Sequence, residues 1–260
     1  MKIVLANQFK NEENRLEEWL LYNKALGITD FILVNDHSTD NSVKIIQSVK
    51  GVTVHILDSE YLPDNTMYSS IDTHKYQNGG GVAGTIAKNF RRIHDFCLKT
   101  YGKEVYLGFF DVDEFIFLDI SKTTLLELIK TNIQNYAVLG ISSTEVNCNT
   151  FNIDGSWLTL QNYTATSPKN QEISTRGGTA KSFQNLNYID PTIFYRGHCS
   201  TDVGSIVHSG GVDISNIKYC PRESCAFLHF RKPMYSPEIN RILCDTNYSY
   251  VKDIAMKAKL

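Results

Sequence analysis

This 260-residue sequence predicts an α/β fold with a Rossmann-like, mainly parallel central sheet flanked by helices. Three observations carry that expectation. Apolar runs and amphipathic stretches alternate as strand, helix, strand, helix, strand within the first 60 residues, the opening of a parallel sheet. Glu104 to Phe110 then forms an almost continuous apolar run, the signature of a strand buried on both faces. At its end stand three acids, Asp111, Asp113 and Glu114, and in open α/β sheets ligands gather at the carboxyl ends of strands.

The elements follow in order. Lys2 to Asn7 reads as the first strand. Asn11 to Leu26 reads as a helix with Leu16, Trp19, Leu20, Asn23 and Leu26 on one face and acids in its first turns, ended by Gly27. Asp30 to Asn35 is the second strand, Val43 to Val49 the second helix and Val52 to Leu57 the third strand. Residues 58–80 are irregular and close on a glycine run, which could bring backbone N–H groups to a diphosphate or serve as a lid. The helix Val82 to Tyr101 presents Ile86, Phe90, Ile93, Cys97 and Leu98 to the core, with Lys88, Asn89, Arg91 and Arg92 on its other sides. Beyond the acidic cluster come a short helix from Thr123 to Lys130 and a buried strand from Tyr136 to Ile141. Residues 146–225 are loop-rich, with strand-like pieces at Trp157 to Leu160, Lys181 to Phe183 and Ile206 to Val207. An apolar strand around His229 and a last helix from Ser236 to Asp245 complete one domain over residues 1–260, a regular half at 1–120 followed by a loop-rich half at 121–260.

At period two, Asp111 and Asp113 share one side of an extended chain. Without a lysine or arginine beside them, such carboxylates repel unless a cation lies between them. Oxygen ligands of this kind suit Mg2+ or Mn2+, with a phosphate completing the shell. Plain turn residues closing a strand would give the same spelling.

Composition narrows the partners. A formal net charge of −2 gives no nucleic-acid footprint. No apolar run reaches the roughly 18 residues that span a bilayer, and the first residues read as a strand. A cytoplasmic protein is expected, with basic residues near the C-terminus that could seat it peripherally on an anionic membrane. The six cysteines are scattered, and Cys220 and Cys225 lack the second pair that a zinc site requires, so reduced thiols are expected.

Other residues fall on the same rim. Asp36, after the second strand, is placed to accept hydrogen bonds from a base or ribose, although Ser38 or Asp40 in the same loop would suffice to cap the next helix. Glu145, after the strand ending at Ile141, could act as general base on an acceptor hydroxyl or be a surface turn acid. His229 could be a core histidine or the distant third ligand of a metal site. Arg231 and Lys232 beside it could neutralise a departing diphosphate.

In order, these pieces resemble the GT-A glycosyltransferases, specifically the family 2-like and family 92-like group. The resemblance rests on Lys10-Asn-Glu-Glu-Asn-Arg-Leu-Glu-Glu-Trp-Leu-Leu-Tyr-Asn-Lys-Ala-Leu-Gly27, Phe31-Ile-Leu-Val-Asn-Asp-His-Ser-Thr-Asp40, Asp111-Val-Asp-Glu-Phe-Ile116, Lys181-Ser-Phe183 and His229-Phe-Arg231. It covers the first 120 residues closely and the remainder at islands. It implies metal-dependent transfer of a sugar from a nucleotide-sugar, a UDP-sugar and by likeness to family 92 UDP-galactose, to a glycan or glycolipid hydroxyl. Carried over by position, Asp36 contacts base or ribose, Asp111 lies by ribose and metal, and Asp113 and His229 bind the metal. The Glu-Asp pair that often supplies the base in inverting relatives is missing. Direct in-line attack would invert the anomeric carbon.

A nucleotidyltransferase shares the acidic Rossmann-like half, but usually has a glycine-rich first turn, where this chain has Asn7-Gln-Phe-Lys-Asn-Glu-Glu-Asn. A metal-free carbohydrate-binding or scaffolding module is the alternative outside the enzymes.

Overall fold

The computed structural model describes residues 1–60, 81–146, 173–174, 179–189, 198–200, 217–221, 223–230 and 245–260. Its central sheet takes the strands in the order β3-β2-β1-β4-β8-β6-β11-β5. Strands β1 (Lys2–Phe9), β2 (Asp30–Asn35), β3 (Thr53–Asp58) and β4 (Val105–Phe109) run parallel. Their helices are α1 (Leu16–Ala25), α2 (Ser42–Ser48) and α3 (Gly81–Tyr101). Antiparallel pairing enters beyond β4. Strand β8 (Thr179–Asn185) is antiparallel to both β4 and β6 (Val138–Val146), and β11 (Cys225–Phe230) is parallel to β6 but antiparallel to β5 (Glu114–Leu118). Short strands β7 (Ile173–Ser174), β9 (His198–Ser200) and β10 (Ile217–Tyr219) flank β6 and β8. The α/β class is as the sequence predicts, with β1 to β4 parallel, while the strands beyond β4 mix directions.

Helix α1 forms because its apolar positions recur at helical spacing, and Leu16, Trp19, Leu20, Asn23 and Leu26 are all buried. This face is tied to β5 by directed bonds. Trp19 donates its indole Nε1–H to the carbonyl of Glu114 at 3.1 Å, and the Tyr22 hydroxyl donates to the carbonyl of Ile116 at 2.7 Å. On the other side of the sheet, α3 buries Phe90, Ile93 and Cys97, and Phe90 packs against Phe109 with ring centroids 4.7 Å apart. Asn89 departs from its expected exposure. It is fully buried, and its side chain joins Gln8, Ser59 and the N–H of Glu60, so it clamps the carboxyl ends of β1 and β3.

Helix α4 (Leu125–Ile133) begins with a capping box in which the Thr124 hydroxyl accepts from the Glu127 N–H while the Glu127 carboxylate accepts from the Thr124 N–H. Strand β6 runs on to Val146, so Glu145 lies inside a strand rather than after one. The helix expected over Ser236 to Asp245 falls mostly outside the described residues. The last helix lies further along, α5 (Asp245–Ala258), which buries Val251, Ile254 and Ala255 and packs on α1 and β5. The strand pieces expected at Trp157 to Leu160 and Ile206 to Val207 lie outside the described residues. Cys97, Cys220 and Cys225 are free buried thiols. Among the described residues, no helix is long and apolar enough to cross a membrane.

The packing predicts two measurable effects. A Cβ at Gly108, in the middle of β4, would approach Phe183 Cε1 to 2.6 Å and Leu5 Cδ2 to 2.8 Å. Gly108→Ala is therefore expected to destabilise the fold by about 1–3 kcal/mol through overpacking, read as a lower denaturant midpoint. His94 is fully buried, and burial pulls its pKa down to about 4 against a weaker opposing pull from Asp95. Between its unfolded value near 6.5 and that folded value, the unfolded chain binds more protons, so acid destabilises the fold across this window. The difference in stability between wild type and His94→Gln should therefore change by roughly 3 kcal/mol from pH 6.5 to pH 4, and no change would contradict the burial of a neutral imidazole.

Candidate active site

The site is built where β4 ends. The chain leaves β4 through Phe110, turns over Asp111 to Asp113 and re-enters the sheet at Glu114, with the Glu114 N–H donating to the Asp111 carbonyl at 3.0 Å. The turn brings the three acids together, where the sequence reading had an extended chain end with two aspartates on one side. A buried lysine also corrects the expectation of carboxylates without a cation. Lys181 Nζ lies 2.8 Å from Asp111 Oδ2 and 3.1 Å from Glu114 Oε2, and Arg15 approaches Asp113 Oδ2 at 4.0 Å.

Glu114 is the hinge of the cluster. Its side chain is 1% exposed, its Oε2 also accepts from the Asp111 N–H at 2.9 Å, and its Oε1 faces His229 Nδ1 at 3.8 Å. Burial pushes its pKa up to about 7, opposed chiefly by Lys181, with Asp111 adding to the rise. Burial alone would lower the pKa of Lys181, but Asp111 and Glu114 outweigh it and hold the ammonium above its ordinary value. On the far side of the imidazole, His229 Nε2 lies 3.7 Å from Asp113 Oδ2. One ligand atom each from Asp113, Glu114 and His229 lies within 4.8 Å of the others. Two carboxylates and an imidazole fit Mn2+ or Mg2+ in donor chemistry. Among the described residues the structure thus brings Asp113 and His229 together, adds Glu114, and sets Asp111 against Lys181.

Strand register extends the site. His229 pairs with Glu114 on one side and with Glu145 on the other, so the three occupy one row across β5, β11 and β6. Arg231 and Lys232 follow β11 immediately in sequence and lie outside the described residues.

The second cluster stands at the ends of β1 and β2. Ser38 accepts from the Asn11 N–H, and Asp40 accepts from the N–H groups of Glu13 and Ser42, stitching the loop after β2 to the approach of α1. Asp36 takes no part in capping. Its backbone N–H donates to the Phe9 carbonyl at 2.8 Å, its Oδ2 lies 3.7 Å from Lys10 Nζ, and its buried Oδ1 has no hydrogen-bond partner among the described residues. The side chain of Asn7 is likewise buried without a partner there. Desolvated, unpaired polar atoms are costly, and a bound polar ligand would satisfy them. The sequence reading missed Asn7, although a polar residue interrupting the apolar run of β1 was the available signal.

The family model described as Glycosyltransferase family 92 matches residues 3–190, a span holding Asn7, Asp36, the acidic turn, Glu145 and Lys181. Among solved structures, the crystal structure of HddC from Yersinia pseudotuberculosis is 12% identical with a TM-score of 0.39, covering 88% of this chain and 93% of that one. The inositol-1-phosphate CTP transferase from T. maritima is 9% identical with a TM-score of 0.36, covering 98% and 96%. Similarities of that size leave the assignment to the family match. A search of curated proteins finds no match. With most of its length matched by that one family, the chain belongs to glycosyltransferase family 92 and is a glycosyltransferase, an enzyme with a nucleotide-sugar donor and a glycan acceptor.

Proposed function

We propose that this glycosyltransferase moves a sugar from a UDP-sugar, with UDP-galactose the first donor to try, to a hydroxyl of a glycan or glycolipid, with inversion and with Mn2+ or Mg2+ at Asp113 and His229. The observation that carries this reading is the convergence of Asp113 from the acidic turn, Glu114 from β5 and His229 from β11 onto one point. A divalent ion there would supply charge stabilisation to the leaving diphosphate. Asp36 and Asn7 satisfy their buried polar atoms on the base and ribose of the donor, and Asp111 faces the donor beside them. Arg231 and Lys232, next in sequence after the strand bearing His229, add positive charge for the departing diphosphate. Glu145 is the candidate base for the acceptor hydroxyl, supported by its register position beside His229.

The test is release of UDP from a panel of UDP-sugars with Mn2+ and with chelator. Metal-dependent release from one donor, quickened by added glycan acceptor, is expected. Equal rates with chelator would remove the metal from the proposal, and release from CMP- or GDP-sugars alone would replace the donor.

A further inference from the structure

We propose that Lys181 is a built-in cation of this site, a positioning residue that keeps Asp111 out of the divalent-ion shell and leaves that shell to Asp113, Glu114 and His229. The inference rests on the metal-dependent reading above and adds to it a division of the acidic cluster. Lys181 cannot swing away as a surface lysine would. Its side chain is 5% exposed, and its strand is pinned on both sides, with Lys181 in register with Ile141 of β6 and the next residue, Ser182, with Phe109 of β4. An ammonium so buried is held only where carboxylates meet it.

Those carboxylates are divided by atom. Lys181 takes Asp111 Oδ2 at 2.8 Å and Glu114 Oε2 at 3.1 Å, while Glu114 Oε1 is turned toward His229. Glu114 Oε2 carries the Asp111 N–H as well, so one oxygen of Glu114 belongs to the lysine side and the other to the histidine side. A divalent ion between Asp111 and Asp113 would stand against the ammonium and be repelled by it. Placed among Asp113, Glu114 Oε1 and His229, it meets three ligand atoms with the carboxylate of Glu114 between it and the lysine.

Calorimetric titration of Mn2+ without nucleotide tests this in wild type, Asp111→Asn, Lys181→Met and the double variant. Asp111→Asn alone should leave the Mn2+ dissociation constant within about twofold. Lys181→Met, which removes the resident charge, should tighten binding by about tenfold, and Asp111→Asn in that background should undo most of the gain, a coupling that marks the two as interacting. Lys181→Arg, which keeps the charge, should keep the wild-type affinity. A tenfold loss on Asp111→Asn alone would overturn the proposal, as would unchanged or weaker binding in a folded Lys181→Met variant. If Lys181→Met fails to fold, the Asp111→Asn result decides alone, since the Asp111 side chain is 43% exposed and Glu114 still meets the Lys181 ammonium at 3.1 Å in that variant. Mn2+ binding by Lys181→Met but not by wild type would sink the metal-dependent reading while keeping Lys181 as the cation of the site. Binding by neither would overturn both.

Discussion

Replacing Asp113 with Asn is expected to lower metal-dependent sugar transfer by on the order of a hundredfold or more while leaving the melting temperature nearly unchanged. Asp113 is the acid of the turn with least structural work. Its side chain is 24% exposed, with Arg15 at 4.0 Å and His229 at 3.7 Å, whereas Glu114 is buried and holds the turn together. Neither contact is within hydrogen-bonding distance, so the substitution takes no direct hydrogen bond from the fold. As a proposed ligand, its loss takes one of three converging groups and one negative charge from the ion. Full activity in a folded Asp113→Asn protein would remove the turn from the reaction.

Trp19→Ala is expected to destabilise the fold by about 3–5 kcal/mol and to weaken Mn2+ binding in the fraction that stays folded. Trp19 is fully buried, packs on Phe31 with ring centroids 5.5 Å apart and donates to the carbonyl of Glu114. Truncation leaves a cavity beneath β5 and frees the backbone of the residue on which Lys181 and His229 converge. Trp19→Phe, which keeps most of the volume and loses the indole donor, separates the effects. It should recover most of the stability but only part of the metal affinity. Equal recovery of both would make Trp19 a packing residue alone.

Much of this architecture was legible in the sequence because it is local. The face of α1 repeats at helical spacing, and β1 to β4 are apolar runs bounded by turn residues, so periodicity found them. The site was legible in its parts rather than its arrangement. Asp113 and His229 were named, but Lys181 lies 70 residues from Asp111 in the chain, and only the pairing of β8 between β4 and β6 brings it back. For the same reason the acids read as an unneutralised pair at a strand end, when they form a turn closed on a buried lysine. Glu114 stands among the three acids in the sequence, but its burial between Lys181 and His229 depends on strands β8 and β11 pairing far along the chain. The extension of β6 past Ile141 runs through Ser142-Ser-Thr144, a polar stretch that is strand because β11 pairs with it, a tertiary effect overriding the local pattern. Helix α5 carries a local signal in Val251, Ile254 and Ala255, which lie at helical spacing on one buried face.

The central claim is that this chain binds a uridine nucleotide through a divalent ion at the acidic turn. A thermal-shift titration with UDP, GDP and CMP, each with Mn2+ and with chelator, tests it without knowledge of the acceptor. A ligand at 100 times its dissociation constant stabilises the native state by about 2.7 kcal/mol, so UDP should raise the melting temperature by several degrees with Mn2+ and far less with chelator, and His229→Ala should blunt the difference. A well-folded protein that responds to no nucleotide under either condition would contradict the claim.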